Sequence, residues 1–98
     1  MSLKKEKIIS DFPFKESNIS DNIFIRKFST EKSDEFEWHQ DAEDRSIEVL
    51  SGKSWHIQLD NDLPIELKKG QQYFVPKERL HRIIAGQNDL VIKLTKFN

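Results

Sequence analysis

The chain has 98 residues, 34% of them charged, and its 16 basic residues nearly balance its 17 acidic ones to give a formal net charge of -1. This length suits one domain with one compact core, expected to span residues 1–98. Because the charges balance, the protein has no long-range electrostatic attraction to nucleic acid or to an anionic membrane, and we expect neither as a partner. The absence of cysteine excludes disulfides and thiolate chemistry and suits a reducing compartment, so we expect a cytoplasmic protein. No apolar stretch approaches the roughly 18 residues that span a bilayer.

Short β-branched and aromatic runs follow one another from residue 22 onward, separated by turn-forming residues. The run Ile23–Phe28 predicts a strand, and the alternating residues 35–41 predict a second one. Residues 46–50 predict a third strand that ends in a hairpin turn at Gly52, because glycine permits a positive φ. An acidic helix over residues 35–50 is the alternative for this part of the chain.

The second half of the chain shows the same alternation. It is clearest in residues 55–60, where odd-numbered positions are apolar and even-numbered ones polar, as in a half-buried strand. About eight short strands at roughly ten-residue spacing are typical of a sandwich or barrel. We therefore expect an all-β fold, a small antiparallel barrel. Its predicted inward side chains include Val49, Trp55, Ile57, Leu59 and Ile83.

Two of the three histidines lie where a metal site is feasible. Residues two apart in a strand share a face, about 6 to 7 Å apart, so His39 and Asp41 could reach one ion. His81 follows the turn at Pro76, at the start of a later strand, and can supply a third ligand. Two imidazoles and one carboxylate with open positions suit iron and also zinc, nickel or manganese.

Arg45 shares the predicted inward parity of Ile47 and Val49, although a guanidinium cannot bind a metal. It could pair with Asp41 and compete with the metal for that carboxylate, or it could anchor a carboxylate or phosphate of a ligand. The sequence leaves both roles open. Gln58 and Trp55 are further candidates for contacting a ligand in the pocket.

The candidate site residues also stand at the spacings of two known motifs. In the first, Gly, five residues, His-x-His, three or four residues, Glu, six residues and Gly are matched in order by Ser33, His39, Asp41, Arg45 and Gly52. In the second, Gly, five residues, Pro-x-Gly, two residues, His, three residues and Asn are matched in order by Gly70, Pro76, Glu78, His81 and Ala85. On these two spacings, which cover residues 33–85, the chain resembles the cupin family.

The resemblance implies a small jelly-roll barrel that forms a homodimer and holds a divalent ion through inward histidines and a glutamate. Here the glutamate position is Arg45, and one histidine position is Asp41. Two hypotheses follow. In the first, His39, Asp41 and His81 bind a divalent metal that acts on or binds a small organic ligand. In the second, the barrel is metal-free and non-catalytic and binds a small anion or a sugar-like molecule. Trp38 and Trp55 are interpreted most simply as packing in the barrel wall.

Overall fold

The computed structural model describes residues 15–31 and 34–97. Ser33, which opens the first motif spacing, lies outside them. Within these residues the chain forms eight strands and one 3-10 turn, Asp34–Phe36. The strands are β1 (Lys15–Ser20), β2 (Ile23–Phe28), β3 (Asp44–Lys53), β4 (His56–Leu59), β5 (Ile65–Glu66), β6 (Gln72–Val75), β7 (His81–Ile84) and β8 (Gln87–Phe97).

The strands form two antiparallel sheets. The larger has five strands in the order β1-β2-β8-β3-β6, and the smaller has three in the order β5-β4-β7. The long strands β3 and β8 pair at the centre of the larger sheet, with Ile47 opposite Leu94 and Val49 opposite Ile92. In the smaller sheet β4 pairs with β7, so that Ile57 lies opposite Ile83. In both sheets, therefore, strands that are distant in sequence pair with each other.

Apolar side chains from both sheets fill the core, as the period-two alternation predicts. Its buried members are Phe28, Ile47, Val49, Trp55, Ile57, Leu67, Val75, Ile83, Leu90, Ile92 and Leu94. Of the five predicted inward residues, four are buried and Leu59 packs against the core while partly exposed. No helix within residues 15–31 and 34–97 is long and apolar enough to cross a membrane.

The predicted strand over residues 35–41 is wrong, and so is the helical alternative for residues 35–50. The segment begins with the 3-10 turn and touches a strand only at His39, which forms an isolated antiparallel bridge with His81. Phe36 turns onto the core, with its ring centroid 5.9 Å from that of Trp55. Phe36 is therefore apolar because it anchors this turn to the core. In the sequence the same residue made the segment look like an alternating strand.

The predicted hairpin at Gly52 is also wrong, although Gly52 does have a positive φ of 137°. Strand β3 continues to Lys53 with irregular register against β8, and β4 pairs with β5 and β7 instead. A Cβ on Gly52 would lie 2.9 Å from Leu90 Cδ1. Glycine is favoured here chiefly because other residues rarely adopt this φ, and the contact with buried Leu90 adds to the preference.

Candidate metal centre

Two backbone hydrogen bonds fix His39 beside His81. The amide of each residue donates to the carbonyl of the other at 2.9 Å, and the two imidazole rings lie edge to face with centroids 4.2 Å apart. The His39 side chain is therefore brought to the site by a single bridge to β7. The structure thus brings together the two histidines that the sequence analysis grouped, although the strand predicted for His39 does not form.

The turn after Pro76 holds Asp41 close to these rings. The Glu78 amide donates to the Asp41 carbonyl at 2.7 Å, and the Lys77 amide donates to Asp44 Oδ1 at 2.7 Å. Glu78 adopts a positive φ of 61° at the position where the resembled motif has glycine. This left-handed residue closes the turn that links the two motif segments.

Both imidazoles present the same nitrogen to the site. His39 Nδ1 lies 2.8 Å from the Glu37 carbonyl oxygen, and His81 Nδ1 lies 2.7 Å from the Arg79 carbonyl oxygen. A carbonyl can only accept, so each Nδ1 carries the proton in the neutral ring and leaves Nε2 with its lone pair. This is the tautomer that metal-binding histidines adopt.

The ligating atoms of His39, Asp41 and His81 all lie within 4.8 Å of one another. His81 Nε2 is 3.2 Å from Asp41 Oδ2. Among the described residues, the buried side-chain polar atoms that lack an aligned hydrogen bond are His39 Nε2, Asp41 Oδ2 and Arg45 Nε. Two of these three are atoms of a type that binds metals, and their nearest polar neighbours are Glu35 Oε1 at 3.0 Å from His39 Nε2 and His81 Nε2 at 3.2 Å from Asp41 Oδ2. The residues present therefore fit a divalent ion.

Arg45 is turned inward as predicted, with its side chain 13% exposed. Its Nη1 lies 3.4 Å from Asp41 Oδ1, and its Nη2 donates to Glu43 Oε1 at 3.2 Å. Asp41 therefore directs one oxygen to Arg45 and the other to His81. Of the two roles that the sequence leaves open for Arg45, the structure shows the pairing with Asp41, and it is made through the oxygen that does not face His81.

Glu35 is a member of the cluster that the sequence analysis missed. Its Oε1 lies 3.0 Å from His39 Nε2, and the side chain is 21% exposed. Phe36 anchors the 3-10 turn that carries Glu35, whose position four residues before His39 is outside the motif spacing. The only available signal was a glutamate that precedes a histidine by four residues, which is uninformative in a segment interpreted as a strand.

The ionisable groups of the cluster shift one another's pKa values. Burial raises the pKa of Glu35, but contact with His39 and the charges of His39 and Arg26 outweigh it, and the net shift is downward. Burial lowers the pKa of His39, but the contacts with Glu35 and with the Glu37 carbonyl raise it by more, so the net shift of this pKa is upward. For Asp41, contact with His81 and the charge of Arg45 overcome burial and lower the pKa. Both carboxylates are thus ionised at neutral pH.

A cavity of about 20 Å³ lies beside the cluster, and His39 is not among the residues that line it. That volume holds about one water molecule or one ion. Glu35, Asp41, His81, Arg26 and Arg45 line its polar side, and core residues line the rest.

Two predicted ligand-contacting residues do not line this cavity. Trp55 is fully buried, and its Nε1 is 3.2 Å from the carbonyl oxygens of both Gln87 and Asn88. Gln58 accepts a hydrogen bond from Arg82 Nε at 3.0 Å and donates to the Asp62 carbonyl. The packing interpretation holds for Trp55.

The interpretation as packing in the barrel wall fails for Trp38, which is 44% exposed. The Arg82 guanidinium lies over its ring, 4.9 Å from the centroid. His39 faces the cluster, and its neighbour Trp38 points to the outer surface.

No family model matches the sequence, and no curated protein is similar enough to count as a relative. Solved structures do match. A cupin-2 domain protein from Shewanella frigidimarina aligns with a TM-score of 0.66 at 18% identity, covering 99% of this chain and 93% of that one. The DMSP lyase DddQ from Ruegeria pomeroyi aligns at 0.68 and 15% identity over 81% of this chain, and the iron(II) form of HppE at 0.63 and 19% over 76%.

This chain spans 40% of the lyase and 41% of HppE. At these identities the similarity establishes the fold. The chain is all-β with antiparallel sheets and has the fold of small cupin domains, as the motif spacing predicts.

Proposed function

We propose that this cupin-fold protein binds one divalent metal ion through His39, Asp41 and His81 and presents it to a small organic ligand. One observation carries the proposal. Three ligating atoms from two separate chain segments converge within 4.8 Å, and both histidines keep Nε2 available as a ligand because Nδ1 is engaged by a backbone carbonyl.

The separation between His81 Nε2 and Asp41 Oδ2 supports an ion at this point. Two ligands at about 2.1 Å from one ion, at angles between about 90° and 109°, lie about 3.0 to 3.4 Å apart. His81 Nε2 and Asp41 Oδ2 are 3.2 Å apart without an aligned hydrogen bond on Oδ2. This is the spacing expected of neighbouring ligands. Iron, zinc, nickel and manganese all accept a set of two imidazoles and a carboxylate.

When bound, such an ion acts as a Lewis acid toward an oxygen of the ligand. The chain's own residues would hold the site in place. Arg45 orients the Asp41 carboxylate through Oδ1, and the carbonyls of Glu37 and Arg79 fix the imidazole rings. Fold neighbours described with iron(II) and cobalt(II) include HppE, which supports metal-dependent chemistry as the use of this fold.

Metal binding is favoured over the metal-free alternative by the charges of the cluster. An anion would need an uncompensated cation, but Arg45 already faces Asp41 and Glu43, and Arg26 is bound to Glu16. The cavity volume of about 20 Å³ suits an ion and is too small for a sugar.

The test is metal content after stripping with a chelator and reconstitution with each ion in turn. We expect about one ion per chain in the wild type and loss of stoichiometric binding in His81→Ala. Because His81 is buried, Asp41→Asn serves as a second variant that keeps the side-chain volume. Moderate affinity is expected, since the adjacent Arg45 repels a cation.

His56→Ala is the matched control. Its Nδ1 also lies near a carbonyl oxygen, that of Ser54, two residues before it, but His56 is outside the cluster. It should bind metal as the wild type does. Equal, substoichiometric metal in the wild type, His81→Ala and Asp41→Asn would refute the proposal and favour a metal-free hydrogen-bonded pocket.

A further inference from the structure

We infer that the ligand presented to the metal centre is a small organic acid, whose carboxylate binds the ammonium group of Lys96 near the end of β8. The inference rests on the proposed metal binding and names the chemical class of the ligand. It assigns a role to a residue that lies outside both motif spacings.

The register of the larger sheet places Lys96 on its inner face, close to the cluster. On β8 it has the parity of the buried residues Ile92 and Leu94, and it lies directly opposite Arg45 on β3. Side chains that are directly opposite in an antiparallel pair share a face, with Cβ atoms about 4.5 to 5.5 Å apart. Arg45 contacts Asp41, so Lys96 is one strand away from the side chain that holds a proposed metal ligand in place.

The charge of Lys96 is not matched by the protein. Within residues 15–31 and 34–97, no carboxylate lies at ion-pair distance from its Nζ, which lies over the Phe24 ring, 4.7 Å from the centroid. Its cross-strand neighbour Arg45 is paired with Asp41 and Glu43. Like charges directly opposite each other on neighbouring strands are destabilising, and Lys96 is partly buried. An anion bound to Lys96 would remove this unfavourable arrangement.

The surroundings of the ammonium group suit the carboxylate of an organic molecule. The face of Phe24 occupies one side of the ammonium and leaves other N–H donors for an acceptor. Its single positive charge matches the single charge of a carboxylate, and Phe24, which packs against the core, offers apolar surface to a short carbon chain. Lys96 does not line the small cavity, so the acid would lie outside it and direct a second oxygen toward the ion.

The experiment measures the binding of malonate, succinate and glutarate to the cobalt(II)-loaded protein, with propionate as the monocarboxylate reference. Calorimetry gives the affinities, and visible absorption shows whether the acid changes the coordination of cobalt(II). At least one dicarboxylate should bind the wild type at least about 5-fold more tightly than propionate. We expect Lys96→Gln to lose this preference while its affinity for propionate is unchanged.

Lys93→Gln is the matched control. Lys93 lies on the same strand with the opposite parity, facing outward opposite Glu48, and its variant removes the same charge from β8. It should prefer the dicarboxylate as the wild type does. Lys96→Gln should bind cobalt(II) at least as tightly as the wild type, because it removes a cation near the site.

The outcomes separate the two proposals. If the wild type fails to bind cobalt(II), zinc(II) and iron(II), the proposed function fails and this inference fails with it. If the metal binds but no dicarboxylate is preferred, or if Lys96→Gln keeps the preference, metal binding stands and the assignment of Lys96 is wrong. Equal losses in Lys96→Gln and Lys93→Gln would also overturn it, because the effect would then be one of overall charge. Weaker cobalt(II) binding by Lys96→Gln would overturn it too, since Lys96 would then support the metal site itself.

Discussion

At the scale of single residues, the two oxygens of the Asp41 carboxylate contact different side chains of the site. Oδ1 faces Arg45 at 3.4 Å, and Oδ2 faces His81 at 3.2 Å. An arginine at the position of a metal ligand would otherwise exclude a cation by direct repulsion. Here Arg45 faces Oδ1, not the oxygen beside His81 that we propose as a metal ligand, and it also contacts Glu43 at 3.2 Å, so that its charge is shared between two carboxylates.

Arg45→Ala tests this role in the metal-free protein. The substitution removes a largely buried guanidinium from the carboxylates of Asp41 and Glu43. Because both carboxylates lose their ion pair, we expect the free energy of unfolding to fall by about 1 to 3 kcal/mol. Arg79→Ala is the control, because Arg79 binds Asp60 and Asp62 at the exposed surface and should shift the melting temperature much less. Equal shifts in the two variants would mean that Arg45 has no special structural role.

The His39–Glu35 contact predicts how the stability of the metal-free protein depends on pH. The pKa of His39 is raised above its ordinary value of 6.5, so its contribution is present below 6.5 and is lost as the pH rises through the folded pKa. The pKa values of Glu35 and Asp41 are lowered from 4.5 and 3.8. Their contributions are therefore present above those values and are lost in acid. Stability from the cluster should be highest between pH 4.5 and 6.5.

Urea unfolding of the wild type and His39→Gln in the presence of a chelator measures this contribution. The difference in unfolding free energy between them should be larger at about pH 5.5 than at about pH 8. A difference that grows toward alkaline pH would contradict the upward shift of the His39 pKa.

The candidate site was predictable from sequence where strand parity and motif spacing applied. His39, Asp41 and His81 were predicted from a shared strand face, from the turn at Pro76 and from their positions in a two-motif pattern, and Arg45 from its parity with the core residues of β3. Glu35 was not, because its approach to His39 depends on a 3-10 turn whose position is set by the packing of Phe36 on Trp55. That contact joins residues distant in sequence and leaves no local pattern.

At the scale of elements, strand existence was largely predictable and strand pairing was not. The alternation in residues 55–60 correctly indicated a half-buried strand, with Trp55 and Ile57 inward. The assumption that neighbouring strands form hairpins misplaced β3, which pairs with β6 and β8. Alternation determines which face of a strand is buried but does not identify its partner.

The crossing from β3 to the smaller sheet leads to a prediction at Gly86. A Cβ there would lie 2.3 Å from the Lys53 carbonyl oxygen and 2.4 Å from Ser54 C, so the backbone at the end of β3 would have to move. We expect Gly86→Ala to lower the free energy of unfolding by about 1 to 3 kcal/mol.

Gly70→Ala is the matched control. A Cβ at Gly70 would have no described atom within 4 Å, although its φ is 85°. Only backbone strain opposes that variant, at a cost of about 1 kcal/mol. Urea denaturation of both variants decides the matter. If Gly86→Ala is no less stable than Gly70→Ala, the close approach of the two segments is wrong.

At the scale of the whole molecule, the two sheets leave edge strands and an apolar groove at the surface. Strands β6 and β5 end the larger and smaller sheets, and a groove of about 270 Å³ lies between residues of these strands and β4. Phe74 and Ile65 line it and are 58% and 51% exposed. Exposed apolar side chains beside a strand edge favour association.

We therefore expect a homodimer formed through this groove. The resemblance to cupins also implies a homodimer, without indicating which surface forms the interface. Sedimentation at about tens of micromolar should show a dimer for the wild type and a monomer for Phe74→Asp, since a buried carboxylate without a partner opposes association. Ile19→Asp is the control, because Ile19 is 55% exposed on the opposite edge strand, β1. It should remain dimeric. A dimer that Ile19→Asp disrupts and Phe74→Asp does not would place the interface at β1, and a monomeric wild type would refute the prediction altogether.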